Sequence, residues 1–83
     1  MYVHVGNNYT VPLKEIITIV NLQDPLSENM QDIIEQARLE KKLTMITNKS
    51  KEKSMIICDD GVIISHISSN TLFKRGLGIK DAE

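Results

Sequence analysis

The chain has 83 residues and a formal net charge of −1, with one cysteine and only three aromatic residues. A domain this small buries only about 60% of the surface its unfolded chain exposes, so self-association is the expected aid to stability. No disulfide is available to Cys58, no Cys/His spacing suits structural zinc, and so few aromatics argue against a stacking platform for single-stranded nucleic acid. The opening Met1-Tyr2-Val3-His4-Val5-Gly6 lacks the basic and apolar regions of a signal peptide, and no apolar run nears the roughly 18 residues of a spanning helix. A lone thiol without an export signal points to the cytoplasm, with no membrane partner.

Taken in chain order, alternating segments from Met1 to Val5 and from Tyr9 to Leu13 flank Gly6-Asn7-Asn8, which predicts a hairpin. The nearly continuous apolar run from Glu15 to Leu22 predicts the central strand, buried on much of both faces. Asp24-Pro25 and Ser27 then supply helix-start chemistry. In the helix that follows, Leu26, Met30, Ile33, Ile34 and Ala37 share one face, with acids early and Lys41 and Lys42 late, as the helix dipole favours.

Leu43 to Thr47 alternates again, and Asn48 to Glu52 carries no apolar residue, as suits an exposed loop. A strand from Lys53 to Cys58 and another from Val62 to Ile67 flank Asp59-Asp60-Gly61, whose Asp-Gly step marks a two-residue turn. Ser68 or Ser69 caps a short helix through Thr71, Leu72 and Phe73, with Gly76 placed to end it and residues 77–83 expected to form a flexible tail. Together these elements predict a single α+β domain: a small antiparallel sheet, one main helix and a short C-terminal helix.

Chemistry is sparse. His4 and His66 sit in strand patterns with no triad partners, Cys58 has no neighbouring cation to activate it, and Asp59-Asp60 is explained by turn geometry. No phosphate-binding glycine loop, dinucleotide fingerprint or metalloprotease motif is present, so neither an enzyme nor a bound cofactor is expected. The positive signal is charge order. Five acids oppose Arg38 between Asn21 and Glu40, whereas five lysines oppose Glu52 between Lys41 and Lys53. Lys49, Lys51 and Lys53 would point the same way if the extended strand reached back into the loop, where they would suit phosphate contacts; a solvated loop that discourages edge pairing is the plainer explanation. Lys74-Arg75 equally suits a helix end.

Several stretches carry a wider likeness: the opening six residues, Val11-Pro12-Leu13-Lys14-Glu15-Ile16-Ile17-Thr18-Ile19, Lys51-Glu52-Lys53-Ser54, and Ser65 through Arg75. In this order they resemble the RemA/RemB family of extracellular matrix regulators, over Met1 to about Gly76, with the opening and close nearest the RemB (YaaB-like) branch. The resemblance implies a LytTR-like fold, assembly into a closed ring, and double-stranded DNA binding in the control of biofilm matrix genes. The family's arginine-rich DNA loop falls here on Lys49, Ser50, Lys51 and Lys53. Ser50-Lys51 replaces an arginine pair, and a basic position ahead of the central strand falls on Glu15, beside Lys14. Lysine gives a point charge without the forked geometry of arginine, so the expectation is sequence-tolerant contact with the phosphate backbone, with Lys14, Lys74 and Arg75 as further contacts. The alternative is an oligomeric interaction module with little DNA affinity.

Overall fold

The computed structural model describes residues 1–22, 26–46 and 52–75. Strand β1 (Tyr2–Gly6) and strand β2 (Tyr9–Pro12) form the expected hairpin. Asn7 and Asn8 both adopt left-handed backbone (φ 49° and 63°), the pair of angles a tight two-residue hairpin turn requires and asparagine tolerates. A 3₁₀ turn (Leu13–Glu15) leads into β3 (Ile16–Asn21). Helix α1 (Glu28–Leu39) is capped by Ser27, whose Oγ accepts from the Met30 N–H at 3.2 Å. Its end is closed by Lys41, left-handed at φ 60°: the Lys41 N–H donates to the Arg38 carbonyl and the Lys42 N–H to that of Ala37. That pair of bonds is the Schellman motif, here with lysine where glycine is usual.

Strands β4 (Leu43–Met45), β5 (Ser54–Cys58) and β6 (Gly61–Ser65) complete a four-stranded sheet of order β3-β5-β6-β4. Helix α2 (Ser69–Phe73) follows, capped by Ser68, which accepts from the Thr71 N–H. The expected helix end at Gly76 and the tail beyond it lie outside the described residues, as do Asp24 and Pro25.

The domain is α+β, and it departs from the sequence reading in several places. The sheet is mixed, because β4 runs parallel to β6 while the β3–β5 and β5–β6 pairs are antiparallel. Helix α1 carries the chain from β3 at one edge of the sheet to β4 at the other, and the parallel pair β4 and β6 is connected in the chain through β5. The apolar run from Glu15 is not central but forms an edge strand, with Ile17 64% exposed. The centre belongs to β5 and β6, whose residues alternate between two cores. Ile56 and Ile63 pack with Val3, Val5, Val11 and Leu72 under the hairpin and α2. Met55, Val62 and Ile64 pack with Ala37 of α1 on the opposite face. Ile33, expected on the buried face of α1, is 38% exposed. The Asp-Gly turn is displaced as well: Cys58 pairs with Gly61, so the two turn residues are Asp59 and Asp60, and Gly61 does not adopt positive φ. Glycine serves there for a different reason, since a Cβ at Gly61 would collide with the Lys42 carbonyl oxygen, which accepts the Val62 N–H.

Candidate nucleic-acid interface

Lys53 lies one residue ahead of β5, exposed, and its backbone is pinned on both sides. Its N–H donates to the Ser65 carbonyl (2.9 Å) and its carbonyl accepts from the Leu22 N–H (3.0 Å). Ile46, the last described residue before 47–51, is held as firmly: its N–H donates to the Ile64 carbonyl at 2.9 Å and its carbonyl accepts from Asn7 Nδ2 at 2.6 Å. Both flanks of the lysine-bearing segment are therefore fixed at the same end of the sheet. Lys49, Ser50 and Lys51 themselves lie outside the described residues.

Two buried serines reinforce this end. Ser54 Oγ donates to the Ile67 carbonyl at 2.7 Å. Ser65 Oγ donates to the Val5 carbonyl at 2.7 Å and accepts from the Ile67 N–H at 3.0 Å. These paired residues of β5 and β6 are both fully buried, and they tie β1 and the approach to α2 to the sheet. The sequence offers one hint of this role: each serine stands at the end of an otherwise apolar strand, where a hydroxyl needs a partner to be buried.

Two of the remaining basic candidates, Lys14 and Arg75, are placed by their surroundings. Lys14, exposed in the 3₁₀ turn, sits at the opposite end of β3, where the Glu15 carbonyl accepts from the Asp59 N–H. At about 3.3 Å per residue the length of β3 separates the two lysines by roughly 20 Å. Lys74 is exposed at the end of α2. Arg75 is engaged within the molecule: Nη1 donates to the His4 carbonyl at 2.8 Å and stands 3.3 Å from His4 Nδ1. Arg75 thus fastens the end of α2 to β1, a role for His4 and Arg75 that the strand pattern does not suggest.

Elsewhere the chemistry is muted. Burial, followed by the charges of Glu15, Asp59 and Asp60, pushes the Cys58 thiol up and keeps it protonated. Among the described residues no group of three or more His, Cys, Asp or Glu is placed to hold a metal ion. No helix among them is long and apolar enough to cross a membrane. Arg38 pairs with Glu35 on the exposed face of α1, so the acidic helix carries its own partial neutralisation.

The chain matches the model of the RemA-like family, described as extracellular matrix regulatory protein A-like, over residues 2–75. No curated protein matches it.

Proposed function

Because the chain belongs to the RemA-like family of extracellular matrix regulatory proteins, we propose that it is a non-enzymatic regulator that binds double-stranded DNA through the phosphate backbone and works as a homo-oligomer in the cytoplasm. The observation that carries this reading is that Ile46 and Lys53, on either side of residues 47–51, are both held at one end of the sheet, with Lys53 exposed there. Lys49, Lys51 and Lys53 are the principal phosphate contacts, with Ser50 beside them and Lys74 as a further candidate; Lys14 belongs to another part of the surface, and Arg75 is first a structural clamp. The opening and closing residues favour the RemB branch, with a LytTR-like fold. No cofactor is required.

Self-association is supported by the sheet edges. At the β3 edge, exposed Ile17 and Phe73 border an apolar cleft of about 190 Å³ floored by Val3, Leu13 and Leu72. At the β4 edge, 43%-exposed Met45 borders a second apolar groove of about 250 Å³ with Leu22, Leu26 and Ile34. Unpaired edges flanked by apolar side chains favour pairing with another chain. Two different edges suit head-to-tail contact, which closes into a ring when the rotation permits.

The test is a fluorescence-anisotropy titration against a duplex of about 30 base pairs at two salt concentrations, after light scattering fixes the oligomeric state. Binding that weakens steeply with salt, and weakens further when Lys49, Lys51 and Lys53 are changed to Ala, is expected. A second reading, an oligomeric interaction module with little DNA affinity, is favoured by the engagement of Arg75 with His4. An intact oligomer indifferent to DNA at low salt would establish it.

A further inference from the structure

Both outer strands of the four-stranded sheet carry backbone groups that the sheet itself does not use, and the hydrogen-bond register says which. In the antiparallel β3–β5 pair the Leu22 N–H donates to the Lys53 carbonyl and the pairing then alternates. Thr18, Val20 and Leu22 therefore turn their backbone groups to β5, while Ile19 and Asn21 turn theirs outward. In the parallel β4–β6 pair the Lys42 carbonyl accepts from the Val62 N–H and the Ile46 N–H donates to the Ile64 carbonyl. Lys42, Thr44 and Ile46 therefore face β6, while Leu43 and Met45 face outward. Among the described residues no partner meets the outward groups of these four. The two edges match in spacing, since each presents residues two apart, and in direction. Strands β3 and β6 both run antiparallel to β5, and β4 runs parallel to β6, so β3 and β4 point the same way. Their side chains match as well. Val20 and Leu22 at one edge and Leu43 at the other pack on the α1 face, where Met45 lines the apolar groove with Leu22 and Leu43. At the end where both strands begin, exposed Lys41 and Lys42 outnumber Glu40 beside β4, whereas Glu15 and Asp59 outnumber Lys14 beside β3.

We propose that copies of this chain join by continuing the sheet: β4 of one copy pairs in parallel with β3 of the next, with Leu43 opposite Val20 and Met45 opposite Leu22. In this register the Leu43 N–H donates to the Ile19 carbonyl of the next copy, the Asn21 N–H of that copy donates to the Leu43 carbonyl, and the Met45 N–H donates to its Asn21 carbonyl. Val20 and Leu22 of one copy extend the apolar row of Leu43 and Met45 of the other, and the basic side of β4 meets the acidic side of β3. The inference rests on the homo-oligomer reading above and adds the residues and the direction of the junction. A parallel junction keeps every copy in the same orientation, so the exposed Lys53 ends lie on one rim of the assembly, whereas an antiparallel β4–β4 junction sets them on opposite sides.

Variants of the full chain test the junction, with the oligomeric state read by light scattering at fixed concentration. Asn21→Cys combined with Thr44→Cys, in a Cys58→Ala background, places thiols on residues that lie opposite one another in the proposed register. Within one chain the two positions sit on opposite edges of the sheet, about 14 Å apart, too far for a disulfide. Oxidation of the double variant with diamide should give a ladder of covalent oligomers on a non-reducing gel. No cross-linking while the oligomer persists would overturn the proposal, and so would a covalent dimer from Thr44→Cys alone, the mark of an antiparallel β4–β4 contact. Met45→Pro removes an N–H that the sheet does not use and sets a ring against the incoming strand, a substitution that edge strands tolerate. It should weaken association about ten-fold, the upper worth of one such bond, with unchanged far-ultraviolet circular dichroism. Wild-type association in Met45→Pro counts equally against the junction; if that variant does not fold, the cross-linking decides alone. A monomeric wild type sinks instead the homo-oligomer reading itself, so the two failures are distinct.

Discussion

Changing Ser65 to Ala should destabilise the domain out of proportion to the single oxygen removed. The hydroxyl serves two partners at once, donating to Val5 and accepting from Ile67, in a residue with 0% exposure. Alanine fills the same space but leaves a carbonyl and an N–H short of a partner, each at a cost of about 1–3 kcal/mol when water cannot reach it. Taking each in the lower half of that range, roughly 2–4 kcal/mol for the two, the loss is a large fraction of the about 4–12 kcal/mol expected for a domain of this length. With an unfolding entropy of about 2.1 cal/mol/K per residue, 1 kcal/mol corresponds to about 6 °C, so the melting temperature should fall by about 12–23 °C. Circular dichroism melts at one fixed protein concentration measure this while holding any self-association constant. A fall of less than about 3 °C would refute the reasoning, because the two backbone groups would then have found other partners.

Lys41→Gly should stabilise the protein by about 1 kcal/mol, since the position is already left-handed and glycine carries no steric penalty there; a raised urea midpoint with unchanged slope would register it. Gly61→Ala should do the reverse by about 2 kcal/mol or more, its methyl group forcing β6 away from the Lys42 carbonyl and breaking the bond from the Val62 N–H, as a lowered urea midpoint would show. Cys58 in the folded protein should alkylate more slowly with iodoacetamide at pH 8 than after unfolding in urea, because burial and nearby carboxylates disfavour the thiolate. The same shift sets a sign for stability. The folded state retains the thiol proton after the unfolded chain has lost it, so stability should decline as pH rises through the ordinary thiol range, and Cys58→Ala should lack that decline in paired denaturation curves.

The features legible in sequence are those decided locally. Asn7-Asn8 sets its own turn, and Ser27 and Ser68 each cap the helix that follows, because those outcomes depend on a few adjacent residues. Sheet order is decided by pairing across the chain. The run Ile16–Val20 is as apolar as β5 or β6, yet periodicity cannot say whether one neighbour or two will flank it, and it forms an edge. Gly61 does belong to a hairpin, but the steric demand for glycine comes from Lys42, far from it in sequence, and not from the turn. In the candidate interface, composition identifies Lys53 and its neighbours as basic. It does not reveal that Lys14 lies at the other end of the sheet, that Arg75 is bound to His4, or that Asn7 reaches Ile46. Each depends on three-dimensional meeting points between residues with ordinary local surroundings.

The bond from Ser65 to Val5 joins residues 60 positions apart, and it also fixes an order of events during synthesis. The hairpin leaves the ribosome before the strands that cover it: its inner face, Val3, Val5 and Val11, packs against Ile56, Ile63 and Leu72, which are made later. At about 5–20 residues per second that face waits several seconds for its cover. During the wait the nascent chain presents an uncovered apolar ribbon, so slowed elongation between the hairpin and β6 should raise aggregation during expression even though the finished protein is unaltered.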